Sequence, residues 1–141
     1  MNIVVTTPKN QMALAAAEAQ DCIDGGGGFY FRRFPEHSRP QLGPADRVFY
    51  VEDGYVRGFG VVTSVKWKGG EVCGTSGRLY SSGFYAYMEA SSWKWIKPIP
   101  MKGFQGWRYF DQAVEVVGGW LDPRPTRVTS EHLQSTLCFK V

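Results

Sequence analysis

Cysteine and histidine are scarce in this chain. The three cysteines, Cys22, Cys73 and Cys138, stand far apart, and no CxxC pair occurs. An odd count without short spacing argues against a disulfide framework and indicates a reducing compartment, so a cytoplasmic protein is expected. The two histidines, His37 and His132, are also widely separated. No regular zinc spacing can be assembled from them, and neither a metal nor another cofactor is expected. Apolar runs are short: none approaches the ~20 residues that cross a bilayer, so no membrane partner is expected. "MALAAAEAQ" (Met12–Gln20) has a superficial leader-like core, but no basic cluster precedes it and Glu18 interrupts it. Charge of either sign is modest. A net charge of +3 over 141 residues is not that of a polycation, so any affinity for nucleic acid has to come from a local patch.

Glycine, proline and large rings are abundant. Seventeen glycines, eight prolines and an aromatic fraction of 15% suggest many turns and short strands. The length fits one domain over residues 1–141, with 118–141 a candidate C-terminal extension. "NIVVTT" reads as a short strand. Thr7 followed by Pro8 is a helix start, a hydroxyl cap before proline at the first helical position, and a helix is expected from Pro8 to about Asp24. Gly25–Gly28 lack both a lysine–serine ending and GxGxxG spacing. They read as a flexible connector, with a phosphate-cradling loop as the alternative. "FYFRRF" then reads as a strand, and its alternation sends Arg32 and Arg33 to opposite faces.

After a proline-rich loop (Pro35–Asp46), "RVFYVEDGYVRGFGVVTSVKW" gives the clearest structural signal: two β-runs joined at Asp53–Gly54, the composition of a tight hairpin. Gly58 and Gly60 fall at alternate positions, hence on one face, where they permit a bend or the close approach of another strand. Lys68-Gly69-Gly70 is expected to end that run. "FYAYMEASSWKWIKPIP" supplies one or two further strands and "DQAVEVVGGWL" another. "TLCFKV" is expected to close the sheet, after a polar connection with a short helix near Ser130. The resulting fold class is α+β: a small, mostly antiparallel β-barrel with one N-terminal helix and one or two short helices.

The order of helix, glycine-rich loop, basic strand and the hairpin "ADRVFYVEDGYVRGFGVVTSV" resembles the PUA-like superfamily, specifically its ASCH and EVE-type domains, over roughly residues 9 to 110. The resemblance implies a small β-pseudobarrel flanked by helices, with a cleft whose usual ligand is RNA or a modified nucleotide. ASCH domains commonly carry glycine, any residue, lysine, then a glutamate and an arginine after the first helix. Aligning the arginine with Arg32 or Arg33 puts the lysine position on Gly27 or Gly28 and the acid position on Tyr30 or Phe31. The base and acid implied for amidohydrolase members are therefore missing, and proton transfer has no titratable group there.

Binding is the better fit. From Ala90 to Phe110 there is no acid, while Lys94, Lys97, Lys102 and Arg108 are interleaved with Trp93, Trp95, Phe104, Trp107, Tyr109 and Phe110. Cations attract phosphates, and rings stack on unpaired bases. The expected partner is RNA or a single-stranded or modified nucleic acid. Trp107 is the candidate base platform, Gln105 the reader of a base edge, and Lys102 and Arg108 the phosphate contacts. Tyr30, Arg32 and Arg33 are expected to face them across the cleft. Against this, alternation in "WKWIK" is how a half-buried strand looks, with Trp93 and Trp95 inward and the lysines in water. Arg108 can also pair with Asp111. Two other classes stay open. A nucleotide enzyme would need Glu36, His37, Asp46 or Glu52 to converge on the cleft, and an interaction protein would use Trp107 as its contact.

Overall fold

Asp53 and Gly54 both take positive φ, 52° and 83°, as a two-residue type I′ turn requires. The turn joins β3 (Arg47–Glu52) to β4 (Tyr55–Val72), the longest strand and the spine of the molecule. The computed structural model describes residues 1–7, 20, 24, 28–72, 77, 79–120 and 122. In these residues the remaining strands are β1 (Ile3–Thr6), β2 (Phe29–Phe34), β5 (Leu79–Glu89), β6 (Lys94–Pro100), β7 (Trp107–Tyr109) and β8 (Val116–Gly119).

All eight strands belong to one mixed sheet. β1 and β3 run parallel, and every other pairing is antiparallel. β4 carries β3 on one edge, opposite Tyr55–Val61. On its other edge two strands follow end to end: β6 against Tyr55–Phe59 and β5 against Val62–Val72. Where the 3-10 turn Ala90–Ser92 interrupts this edge, the Ser92 hydroxyl accepts the Val61 N–H at 2.9 Å. The order is β2-β5-β4-β3-β1-β7, with β6 and β8 branching from β4.

This branching corrects the expected barrel. A closed barrel gives each strand two neighbours. Here β4 lends one edge to two strands in series, so the sheet forks, and among the described residues β2 and β7 end its path unpaired to each other. Lys68-Gly69-Gly70 does not stop β4 either; β5 pairs through it to Val72↔Leu79. Among the described residues helical backbone is limited to two single 3-10 turns, Glu36–Ser38 and Ala90–Ser92, and to Gln20 and Asp24. The helix expected over Pro8–Asp24 lies outside the described residues except for Gln20 and Asp24, whose side chains hydrogen-bond at 2.8 Å. The short helix near Ser130, the "TLCFKV" strand, His132 and the three cysteines also lie outside them. No described helix is long and apolar enough to cross a membrane.

Alternation along the strands gives the sheet two apolar faces. On the first, Ile3, Val5, Val48 and Val62 meet Phe34, Ala86 and Met88 of the β2–β5 layer, with Leu42 from the proline-rich loop. On the second, Val4, Phe49, Val51, Val56 and Phe59 pack with Ile96 and Phe110. Both the β3 and β6 registers skip Arg57, which is a bulge residue. Its side chain is buried and its Nε donates to the Glu52 carbonyl at 2.8 Å.

Beyond Val65, β4 and β5 continue as a long arm. There the Lys68 ammonium pairs with the Glu71 carboxylate, which also accepts the Tyr87 hydroxyl at 2.8 Å. The hydrogen bond from Lys68, then that from Tyr87, holds Glu71 below the ordinary glutamate range, and the same pairing raises Lys68. Glu71 therefore adds arm stability that is present above the ordinary glutamate pKa and lost as pH falls through its depressed value. Lys68 adds stability that is lost only as pH rises through its elevated value. Amide exchange of Lys68–Val72 should accelerate on acidification below about pH 4, and Glu71→Gln should remove that acid limb. An unchanged acid limb in the variant would assign it elsewhere.

Candidate functional site

Gly58 and Gly60 are where the first face opens. A Cβ on Gly58 would meet the Trp93 indole and the Lys94 carbonyl oxygen, the latter at 2.6 Å. The close approach of another strand expected from the sequence is thus that of the Lys94 backbone. A Cβ on Gly60 would meet the Tyr30 hydroxyl, with the ring carbon behind it at 3.0 Å and the Met88 sulfur at 3.3 Å. The two glycines form a floor on which rings from three other parts of the chain lie.

Those rings are contiguous. Tyr30 and Tyr50 have centroids 6.5 Å apart, Tyr50 and Trp93 5.6 Å, and Trp93 and Trp95 5.1 Å in an edge-to-face arrangement. Register brings them together: Tyr50 on β3 and Trp95 on β6 both oppose Gly58. Tyr30 reaches Gly60 across Met88 of β5, which pairs with both Tyr30 and Val62. All four rings are half-buried. The Trp95 N–H donates to the Asp122 carbonyl at 3.3 Å. The Trp93 N–H is buried with no acceptor among the described residues, an arrangement that costs about 1–3 kcal/mol.

Arg32 stands beside this cluster. It follows Tyr30 by two residues on β2 and so shares its face, between Tyr30 and the buried Phe34 and opposite Ala86. It is half-buried, and among the described residues it has no hydrogen bond, ion pair or ring contact. Its Cα lies ~7 Å along the strand from that of Tyr30, and its guanidinium presents five donors with no anion to meet them among the described residues.

The other residues expected at the site are dispersed. Arg33 alternates to the opposite face of β2, where its Nε and Nη2 donate to the carbonyls of Ser81 and Ser82. Trp107 and Arg108 do not share a groove. Trp107 pairs with Val5 on the first face and Arg108 with Val4 on the second, because neighbours on a strand point oppositely. The Trp107 indole donates to the Ser38 carbonyl at 2.8 Å and meets Tyr109 edge-to-face. Arg108 lies over the Phe104 ring at 4.1 Å, and no ion pair joins it to Asp111. Lys102 and Gln105 are exposed on the Met101–Gly106 loop, which is tied to Gly54 and Thr6 by backbone N–H bonds.

Glu36, His37, Asp46 and Glu52 do not converge. The first two sit in an exposed 3-10 turn. Asp46 accepts from the Met1 ammonium and the Gly43 N–H, and Glu52 is buried ~20 Å away at the far end of β3. Among the described residues no three of His, Cys, Asp and Glu are grouped to hold a metal. Tyr50 is not among the residues the sequence points to, and for Trp93 and Trp95 it offers both a place in the ring-and-cation stretch and, by alternation, an inward core position. No family model, curated protein or solved structure matches this chain.

The glycine floor predicts unequal effects of adding a methyl group. In Gly60→Ala the obstacle is the end of one side chain, so Tyr30 should swing away at a cost of about 1 kcal/mol. In Gly58→Ala the Lys94 backbone blocks relief, and the loss should be about 3 kcal/mol. Urea unfolding gives both values. Equal losses would mean that the floor is not rigid at Gly58.

Proposed function

We propose that this protein is a nucleic-acid-binding module that holds an unpaired or modified base of RNA or DNA against the Tyr30–Tyr50–Trp93–Trp95 cluster, with Arg32 on a phosphate. One observation carries the reading: four half-open rings over a glycine floor share a face with an arginine that lacks a described partner. Rings of this kind accept the π-face of any base, and a cation beside them adds the phosphate term. Arg32 favours an anionic group at the Tyr30 end of the cluster. The Asp122 carboxylate, which accepts the Gly119 N–H at 2.6 Å and lies over Gly118 opposite Trp95, confines that preference to the Tyr30 end. The resemblance to PUA-like ASCH and EVE-type domains points the same way, since EVE-type relatives surround a modified base with aromatic walls. In this reading Tyr30 and Arg32 keep the role expected from the sequence. Tyr50, Trp93 and Trp95 take the place first given to Trp107.

Short single-stranded RNA and DNA oligomers, plain and base-modified, at two salt concentrations provide the test. Tyr50→Ala and Trp95→Ala should each weaken binding by about 5- to 150-fold, the equivalent of about 1–3 kcal/mol per stacked base. Arg32→Gln should weaken binding and flatten its salt dependence. Trp107→Phe should bind as the parent does. Failure of every oligomer to bind at low salt, or parental affinity in both ring variants, would sink the reading.

A further inference from the structure

The second face of the sheet carries cations that the aromatic cluster does not use. The registers align Arg108 of β7, Val4 of β1, Phe49 of β3, Phe59 of β4 and Lys94 of β6 in a single row. Arg47 precedes Phe49 by two residues on the same face and lays its guanidinium over the Phe59 ring, 4.6 Å from its centre. Arg108 lies over Phe104 in the same manner at 4.1 Å. All three cations are exposed, and among the described residues none of their side chains has an acid or carbonyl partner. The strands of this face bring no carboxylate to it. β1, β6, β7, β8 and the Tyr55–Val61 part of β4 contain no acid, and Glu52 of β3 alternates away with Tyr50.

A guanidinium held over a ring is restrained in position while N–H groups remain open to solvent. Little rotamer freedom then remains to be lost when a phosphate arrives, which suits Arg47 and Arg108 to anions better than a freely rotating lysine. Placement links this surface to the first face. Arg47 pairs with Val61 and Lys94 with Phe59, the residues flanking Gly60 on β4, so both lie behind the end of the sheet that bears Tyr30 and Trp93. Lys94 and Arg108 mark the two ends of the row, four strand spacings or ~19 Å apart; the Val4, Phe49 and Phe59 side chains between them are buried with Phe110, so a strand reaching from one end to the other crosses over that cover.

We infer that this second face is a phosphate-tracking surface on which Arg47, Lys94 and Arg108 hold the backbone of the strand whose base enters the aromatic cluster. The inference rests on the nucleic-acid reading above and adds to it a sequence-independent contact on the opposite side of the sheet. Such contacts leave a thermodynamic signature. Each neutralised phosphate of a single strand contributes about 0.7 to the slope of log affinity against log salt, whatever the base.

The experiment measures that slope with the full chain and a fluorescent single-stranded oligonucleotide that the parent binds. The Arg47→Gln, Lys94→Gln double variant should lower the slope by about 1.4 and leave the ranking of bases unchanged. Arg47→Lys should keep the slope, and Arg108→Gln should lower it by about 0.7. Urea midpoints establish that each variant is folded. Should the double variant fail to fold, Lys94→Gln and Arg108→Gln carry the test singly. A parent that binds no oligonucleotide removes the nucleic-acid reading itself. A parent whose binding depends on Tyr50 and Trp95, but whose slope is the same in the double variant, overturns the present inference alone. Retention on vesicles of anionic lipid that needs Arg47 and Lys94, with an unchanged oligonucleotide slope, would give this face to membranes and also overturn it.

Discussion

The missing Cβ atoms at Gly58 and Gly60 are the constraint on which the rest of the structure depends. At Gly58 β4 is paired on both edges, and at Gly60 it is paired with β3 and held on the other side by the Val61 N–H bond to the Ser92 hydroxyl, so its backbone has little room to move away from a side chain placed above it. A methyl at Gly58 would collide with the Lys94 backbone of β6, and one at Gly60 with Tyr30. The same two absences therefore let β6 pair closely and let two rings descend onto the sheet. Glycine weakens a strand interior through lost packing and backbone entropy. Here the descending rings supply the packing that the glycines lack.

A second consequence is the separation of charge between faces. Arg32 shares a face with the rings, whereas Arg47, Lys94 and Arg108 lie behind the sheet. Every one of these positions follows from alternation along a strand once the registers are fixed. The stacked pairs Arg47–Phe59 and Arg108–Phe104 also couple each cation to the second core, since Phe59 belongs to that cluster and Phe104 packs against it. Solvent-facing cations and core packing are thus joined through single rings rather than distributed at random over the surface.

Much of this was legible in the sequence, and the part that was not has identifiable causes. The Asp53–Gly54 turn, the opposite facing of Arg32 and Arg33, and the shared face of Gly58 and Gly60 all follow from local rules, and the structure carries them. The partner of Tyr50 does not follow from such rules. A regular two-residue hairpin from Asp53–Gly54 opposes Tyr50 to Arg57; the bulge at Arg57 slides the register so that Tyr50 meets Gly58 instead. No composition rule places that bulge. The expected barrel failed for a related reason: strand number and glycine bends are local, but the sharing of one edge of β4 by β5 and β6 is not. The sequence offers Trp107 as the base platform because it stands among cations and rings. Its three-residue pairing with β1 and its bond to Ser38 were not visible in the stretch itself.

The indoles of Trp93, Trp95 and Trp107 distinguish a packing role from a binding one. A tryptophan that serves only to fill space normally finds an acceptor for its N–H when buried. Trp95 and Trp107 do so, at the Asp122 and Ser38 carbonyls. Trp93 packs against Gly58 with its N–H buried and no acceptor among the described residues, with Tyr50 and Trp95 as ring neighbours. Rotating the indole toward an acceptor would lift it from the glycine floor and break the line of rings. The arrangement therefore keeps ring geometry at the expense of a hydrogen bond, and places where a local rule is broken without nearby compensation tend to be functional ones. That preference is easier to understand in a surface shaped to meet a flat ligand than in one shaped only to bury area.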